Sequence, residues 1–169
     1  MAILEIKKYG DLILRKKSKV ILEVDDDVKR LAYNMLETVY LANGVGLAAP
    51  QIGVSVRLCV IAVDLDKKSP IIMINPTIIS SDGNKISDKE GCLSFPGFYE
   101  NVKRYNGVVV RYTDLNSREL EIKSQDLLSR AIQHEVDHLD AKLFIDYLPE
   151  WKRRFVEKKV KRNRNTGKW

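Results

Sequence analysis

The sequence predicts an α+β fold: a single domain with an N-terminal helix, antiparallel or mixed β-strands, a central helix carrying metal-ligand residues, and a basic C-terminal tail. Three observations point there. Apolar residues at helical spacing occupy 28–39, short β-branched runs fill 54–122, and a second helical stripe runs from about 126 to 139. Helix, strands, helix is not the repeating βαβ order of a parallel sheet. The 169 residues suit one domain, and 44% hydrophobic with 31% charged residues is the mix of a folded chain.

The first helix is bounded at both ends. Asp25-Asp-Asp27 supplies an N-cap and negative charge at the positive end of the helix dipole. Val28, Leu31, Ala32, Met35, Leu36 and Val39 form the apolar stripe, and Asn43-Gly44 ends it. Strands are expected over 54–63, 71–79, 108–112 and 119–122, with a hairpin turn at Asp114-Leu-Asn-Ser117. Pro70 and Pro76 make the second run an edge strand or one broken by a bulge. The second helix should start near Ser124 to Asp126, with Leu128, Ala131, Ile132, Val136 and Leu139 as its buried stripe.

A domain over 1–149 is followed by an extension over 150–169, and charge separates the two. The chain carries +6, the last 20 residues carry +7, and the rest −1. That asymmetry predicts an arm attracted to a polyanion, nucleic acid or a ribosome ahead of a membrane. The plainer alternative is a solvated helix kept soluble by its charge. Trp151 and Phe155, four apart, are expected to dock the start of the arm onto the domain, with Val160 completing a sparse apolar face. The longest uninterrupted apolar run is 58–63, far short of the ~20 residues of a membrane span. Charges within the first eight residues oppose a signal peptide, which predicts a cytoplasmic protein.

The chemistry concentrates in His134-Glu-Val-Asp-His138 on the second helix. These are the only two histidines, and residues four apart share a helix face, so both imidazoles can reach one cation. Glu135 can act as base toward water at such a site. A catalytic divalent metal usually takes a third protein ligand. The extended zincin pattern would need Gly at 141 and His at 144, where Ala141 and Phe144 stand. Downstream carboxylates Glu150 and Glu157 are candidates but adjoin the basic tail. Cys92, in a stretch of Gly, Ser and Pro, is the better one, since a thiolate binds borderline and soft metals strongly. Cys59, inside an apolar run, reads as packing. Gly44-Val-Gly-Leu-Ala-Ala-Pro-Gln51 removes side-chain bulk so that a backbone can approach a ligand, or is only a tight connection.

Together these segments resemble the peptide deformylases. Gly44-Val-Gly-Leu-Ala-Ala-Pro-Gln51, Glu90-Gly-Cys-Leu-Ser94 and Gln133-His-Glu-Val-Asp-His-Leu139 match that family's three motifs in order. Tyr9-Gly-Asp11, Asn75-Pro76 and Leu143-Phe144 match its flanking residues, over roughly residues 3 to 148. The resemblance implies removal of the N-formyl group from the initiator methionine of nascent polypeptides, with release of formate. It implies one metal per chain on Cys92, His134 and His138, natively Fe2+ with Zn2+, Ni2+ or Co2+ as substitutes; an S/N/N donor set accommodates all four. Glu135 would be the acid–base group, and the Gln51 amide with the Leu93 N–H would receive the oxyanion.

By the same resemblance, Gly46 would pair with the peptide backbone. Val45, Leu127 and Ala131, apolar and on or beside the motifs, are candidates for the methionine pocket or are plain core. Glu90 and Arg104 are expected as a charged pair holding the cysteine loop, or as an ordinary surface ion pair. Expected partners are formyl-methionyl peptides and, through the tail, the ribosome, with no membrane and no sequence-specific nucleic acid. Leu12 and Ala141 depart from the commonest pattern, where proline and glycine are frequent. Arg130 lies near the His134 side of its helix without an evident role. Two other readings compete: a zincin endopeptidase with a downstream carboxylate ligand, and a non-catalytic RNA-associated module resting on the tail alone.

Overall fold

The computed structural model describes residues 2–63 and 69–166. Helix α1 (Asp26–Leu41) is capped as expected, the Asp25 side chain accepting from the Val28 N–H at 2.8 Å. Beyond its last turn Asn43 adopts φ 50°, a left-handed conformation that asparagine tolerates. Strands β1 (Gly46–Ala48), β2 (Leu58–Ile61), β3 (Ile71–Ser81), β4 (Lys85–Gly91), β5 (Tyr99–Tyr105), β6 (Gly107–Thr113) and β7 (Glu119–Gln125) follow, then helices α2 (Asp126–Leu139) and α3 (Glu150–Asn165).

Five strands form an antiparallel sheet in the order β1-β2-β3-β6-β7, and β4 pairs with β5 in a separate two-stranded sheet. Alternation along β2 shows how the layers meet. Leu58 and Val60 pack with Ala32, Met35 and Val39 of α1, whereas Cys59 and Ile61 pack with Ala131, Ile132 and Leu139 of α2. The sheet therefore lies between the two helices, and Cys59 is a fully buried packing residue.

The structure changes several expectations. The strand expected over 54–63 narrows to Leu58–Ile61, because the preceding residues pair with residue 19: the Arg57 N–H donates to the Lys19 carbonyl at 2.7 Å. Pro76 sits at a bulge rather than an edge: β3 is central and its register with β6 slips between Ile74 and Thr77. Asn75, at φ 52°, turns its amide out to the Ile21 backbone with bonds of 2.9 and 2.8 Å. Strands β4 and β5 have no sequence signal, since charged and exposed residues dominate them. Ala141 stands at φ 61° immediately after α2, which explains why glycine is the commoner residue there.

The basic segment is helical through residue 165, and 167–169 lie outside the described residues. Trp151 and Phe155 do not dock it, being 69% and 55% exposed. Val156 and Val160 do, at 2% each, in a cluster with Phe95, Val102 and Phe144. Each helical residue advances about 100°, so a stripe at 156 and 160 turns 151 and 155 outward. Tyr9 Oη donates to Glu157 at 2.9 Å and Lys152 Nζ donates to Glu100 at 2.7 Å, so α3 lies along the domain rather than leaving it. Val156→Ala and Val160→Ala should each lower unfolding stability by roughly 1–3 kcal/mol. Trp151→Ala should change it by less than about 0.5 kcal/mol, in the same chemical denaturation series.

Candidate active site

Helix α2 presents its two histidines inward. Gln133, one residue before them, fixes the helix against β5: its Oε1 accepts from the Tyr105 N–H at 3.0 Å and its Nε2 donates to the Tyr105 carbonyl at 2.8 Å. His134 Nε2 and His138 Nε2 lie 3.2 Å apart, and Cys92 Sγ, arriving from the end of β4, is 3.3 Å from His138 Nε2. The three ligand atoms all fall within 4.8 Å of one another. Metal–nitrogen bonds of about 2.0–2.1 Å and a metal–sulfur bond of about 2.3 Å imply tetrahedral edges of roughly 3.3–3.6 Å, close to those observed. Among the described residues this is the one such group. The alternative ligands are engaged elsewhere, Glu150 with Arg154 and Glu157 with Tyr9.

Protonation fits a cation. Glu90 Oε1 lies 2.6 Å from His134 Nδ1, which places the ring proton there and leaves Nε2 free to ligate. Burial opposes charge on His134, yet the Cys92 sulfur and Glu90 raise its pKa, so the cluster draws in positive charge. Burial and neighbouring His134 push His138 well below its ordinary value, keeping it neutral. Glu90 is itself clamped. Arg104 donates to both of its oxygens at 2.8 and 3.0 Å, and Arg130 adds a bond of 3.2 Å. Burial alone would raise the Glu90 pKa, but the bonds from His134 and Arg104 hold it well below the usual carboxylate range. Arg104 also pairs with Asp137, whose other oxygen accepts from Tyr147.

Glu135 is 3% exposed, and its Oε2 has no partner among the described residues. Burial pushes its pKa up to about 7, against the pull of His134. A β-carbon on Gly46 would sit 2.6 Å from Glu135 Oε1, so the glycine is required by close approach rather than by a turn. The amide of Gln51 is oriented by the Ala48 N–H, which donates to its Oε1 at 2.8 Å. Its Nε2 points to Ser94 Oγ at 3.2 Å and to Cys92 Sγ at 3.4 Å.

A cavity of about 410 Å³ joins these groups, lined among others by Val45, Gly46, Gln51, Cys92, Leu93, Leu127, Ala131, His134 and Glu135. Val45 and Leu127, 38% and 51% exposed, form its mouth, and buried Ala131 its inner wall. Of the site residues expected from the sequence, all but His138 and Arg104 line this cavity; those two lie behind it, His138 against Cys92 and Arg104 against Glu90. No sequence signal marks Lys8, which lines it, or Ser94 as the partner of Gln51. Arg130 holds Glu90 and the carbonyls of Val102 and Ile86, tying α2 to the β4–β5 hairpin.

The model of the polypeptide deformylase family matches residues 3–154. A peptide deformylase of Endomicrobium trichonymphae is 60% identical over 169 residues, covering all of both chains. The crystal structure of a peptide deformylase from Legionella pneumophila superposes with a TM-score of 0.93 at 42% identity, covering 98% of each chain. That of Ehrlichia chaffeensis peptide deformylase in complex with actinonin gives 0.92 at 37%, covering 96% of this chain and 98% of that one.

Proposed function

The chain belongs to the polypeptide deformylase family, and from that premise we propose how its own residues carry the reaction. The enzyme is a metal-dependent hydrolase that removes the N-formyl group from nascent chains. In our reading Cys92, His134 and His138 hold one metal, and that metal is ferrous iron, with zinc, nickel or cobalt able to replace it. When bound, it supplies Lewis acidity, which lowers the pKa of water from 15.7 towards about 7. The single observation that supports this assignment is the convergence of one sulfur and two imidazole nitrogens beside a buried carboxyl in one cavity.

Glu135 takes the proton of the attacking water on its unpartnered Oε2 and passes it to the departing amine nitrogen. Burial raises the Glu135 pKa, which favours a carboxyl that takes up and then returns a proton. The new C–O bond forms first, moving the carbonyl electron pair onto the formyl oxygen, and the C–N bond then breaks as the nitrogen is protonated, yielding formate and a free methionine amine. Negative charge on the formyl oxygen is received by Gln51 Nε2 and the Leu93 N–H, each worth about 3 kcal/mol at comparable sites. Val45, Leu127 and Ala131 hold the methionine side chain, while the Gly46 backbone pairs with the peptide and so accepts many following sequences. Glu90 and Arg104 fix the tautomer and direction of His134. Metal analysis of anaerobically purified protein, with formate release from a formyl-methionyl peptide, tests the assignment; metal other than one iron per active chain would overturn the choice of iron.

The exposed cations of α3 support a role at the ribosome, consistent with a cytoplasmic enzyme meeting chains as they emerge. Arg153, Lys159, Arg162 and Arg164 are candidates for phosphate contacts, whereas Lys152 is already paired with Glu100. Removing the segment after Val156 would expose the core that buried Val160 covers, so charge neutralisation is the cleaner probe. Arg162→Gln with Arg164→Gln should leave cleavage of short formyl-peptides intact and weaken co-sedimentation with ribosomes. The wild-type interaction should fall with salt by a slope of about −0.7 to −0.9 per phosphate contact, and the variant's slope should be shallower. Equal binding by both proteins over the salt series returns α3 to a solvated helix.

A further inference from the structure

Residues 7–9 belong to none of the three motifs, yet they touch both segments assigned to the oxyanion. The Lys7 N–H donates to the Gln51 carbonyl at 2.6 Å, and the Tyr9 N–H donates to the Ser94 carbonyl at 2.9 Å. Between these two tethers the Lys8 side chain runs along the wall of the active-site cavity. Its Nζ donates to the Leu93 carbonyl at 2.9 Å, across a sequence separation of 85.

We infer that Lys8 is a positioning residue for deformylation, one that anchors the loop carrying the Leu93 N–H through the Leu93 carbonyl and places positive charge on the wall where the oxyanion develops. The two other cations lining the cavity are committed elsewhere. Arg130 is taken up by Glu90 and two carbonyls, and Lys89 lies over the Tyr99 ring at 5.6 Å. Among the described residues Lys8 donates to the Leu93 carbonyl and forms no ion pair, so the ammonium keeps its charge directed at the cavity. Holding a lysine side chain in one geometry costs more rotamer entropy than one ordinary hydrogen bond returns. A gain realised in the transition state accounts for that placement, because an oxyanion donor is effective only when fixed before charge develops.

The inference rests on the assignment of Gln51 and Leu93 as oxyanion donors, and the test separates the two. Lys8→Met and Lys8→Arg, both as metal-loaded enzyme, are compared with wild type on two formyl-methionyl peptides, one neutral and one acidic at the second residue. Lys8→Met is expected to lose kcat about tenfold on both peptides, short of the 10²–10³ of a missing donor. Its KM should stay within about twofold, its metal stoichiometry and melting temperature should be unchanged, and Lys8→Arg should recover most of the rate. Unchanged kcat in Lys8→Met would overturn the inference. So would a loss confined to KM for the acidic peptide, which makes Lys8 a substrate contact, or a fall in metal content and melting in both variants, which makes it structural. Gln51→Leu measured alongside reports on the underlying assignment: if it keeps full kcat with metal bound that assignment fails, and if it loses about 10²–10³ in kcat while Lys8→Met is normal only the role of Lys8 fails.

Discussion

Cys92→Ala, His134→Ala and His138→Ala are each expected to lose the metal and, with it, deformylation. An open catalytic site holds its cation with three protein ligands, and the next candidate donors are not placed to substitute. Glu90 is committed to Arg104, Arg130 and His134, and Glu135 belongs to the acid–base step. Cys92→Ala is the sharpest of the three, because the sulfur comes from the segment just after β4 while both imidazoles come from α2, so the helix can fold undisturbed without it. Metal content by elemental analysis and formate release are the measurements. Cys92→Ala with stoichiometric metal and full turnover would refute the ligand set. Cys59→Ala is the control: its side chain is fully buried between the sheet and α2, so metal content should not change.

Glu135→Ala separates chemistry from binding. The metal should stay, and kcat should fall on the order of 10²–10⁴-fold or more, as for loss of a positioned acid–base group. Asp137 cannot stand in, since its two oxygens are held by Arg104 and Tyr147 away from the cavity. Stability should not suffer. Burying a carboxyl whose Oε2 finds no partner is unfavourable, so its removal relieves a desolvation penalty. Near-normal turnover with metal bound would reject Glu135 as the proton carrier. Loss of metal together with turnover would instead make Glu135 a structural support of the ligand set.

The chemistry was legible because it is local. Two histidines four apart on one amphipathic helix share a face in any fold that forms the helix, so His134, His138 and the adjacent Glu135 follow from spacing alone. The cap at Asp25, the hairpin at Asp114 and the bulge near Pro76 are equally local, each set by the conformational limits of one or two residues. Choosing Cys92 over Glu150 and Glu157 rested on donor chemistry and on the resemblance, and its distance to His138 was not in the sequence at all.

What the tertiary structure alone decided are contacts across long separations between residues whose local signals are weak or misleading. Strands β4 and β5 are rich in charge, without hydrophobic alternation in the sequence to announce them, yet buried Glu90 and Arg104, one from each, bond to each other beneath His134. In α3 the exposed aromatics are Trp151 and Phe155 and the buried residues are Val156 and Val160, because the one-residue step from Phe155 to Val156 turns the helix face by about 100°. Lys8 reached the cavity only through the path of the N-terminal segment past Gln51 and Ser94. Hydrophobic periodicity reports which face of an element is apolar, but a buried ion pair or a tethered carbonyl depends on which elements meet, and that is set by the packing of the whole chain.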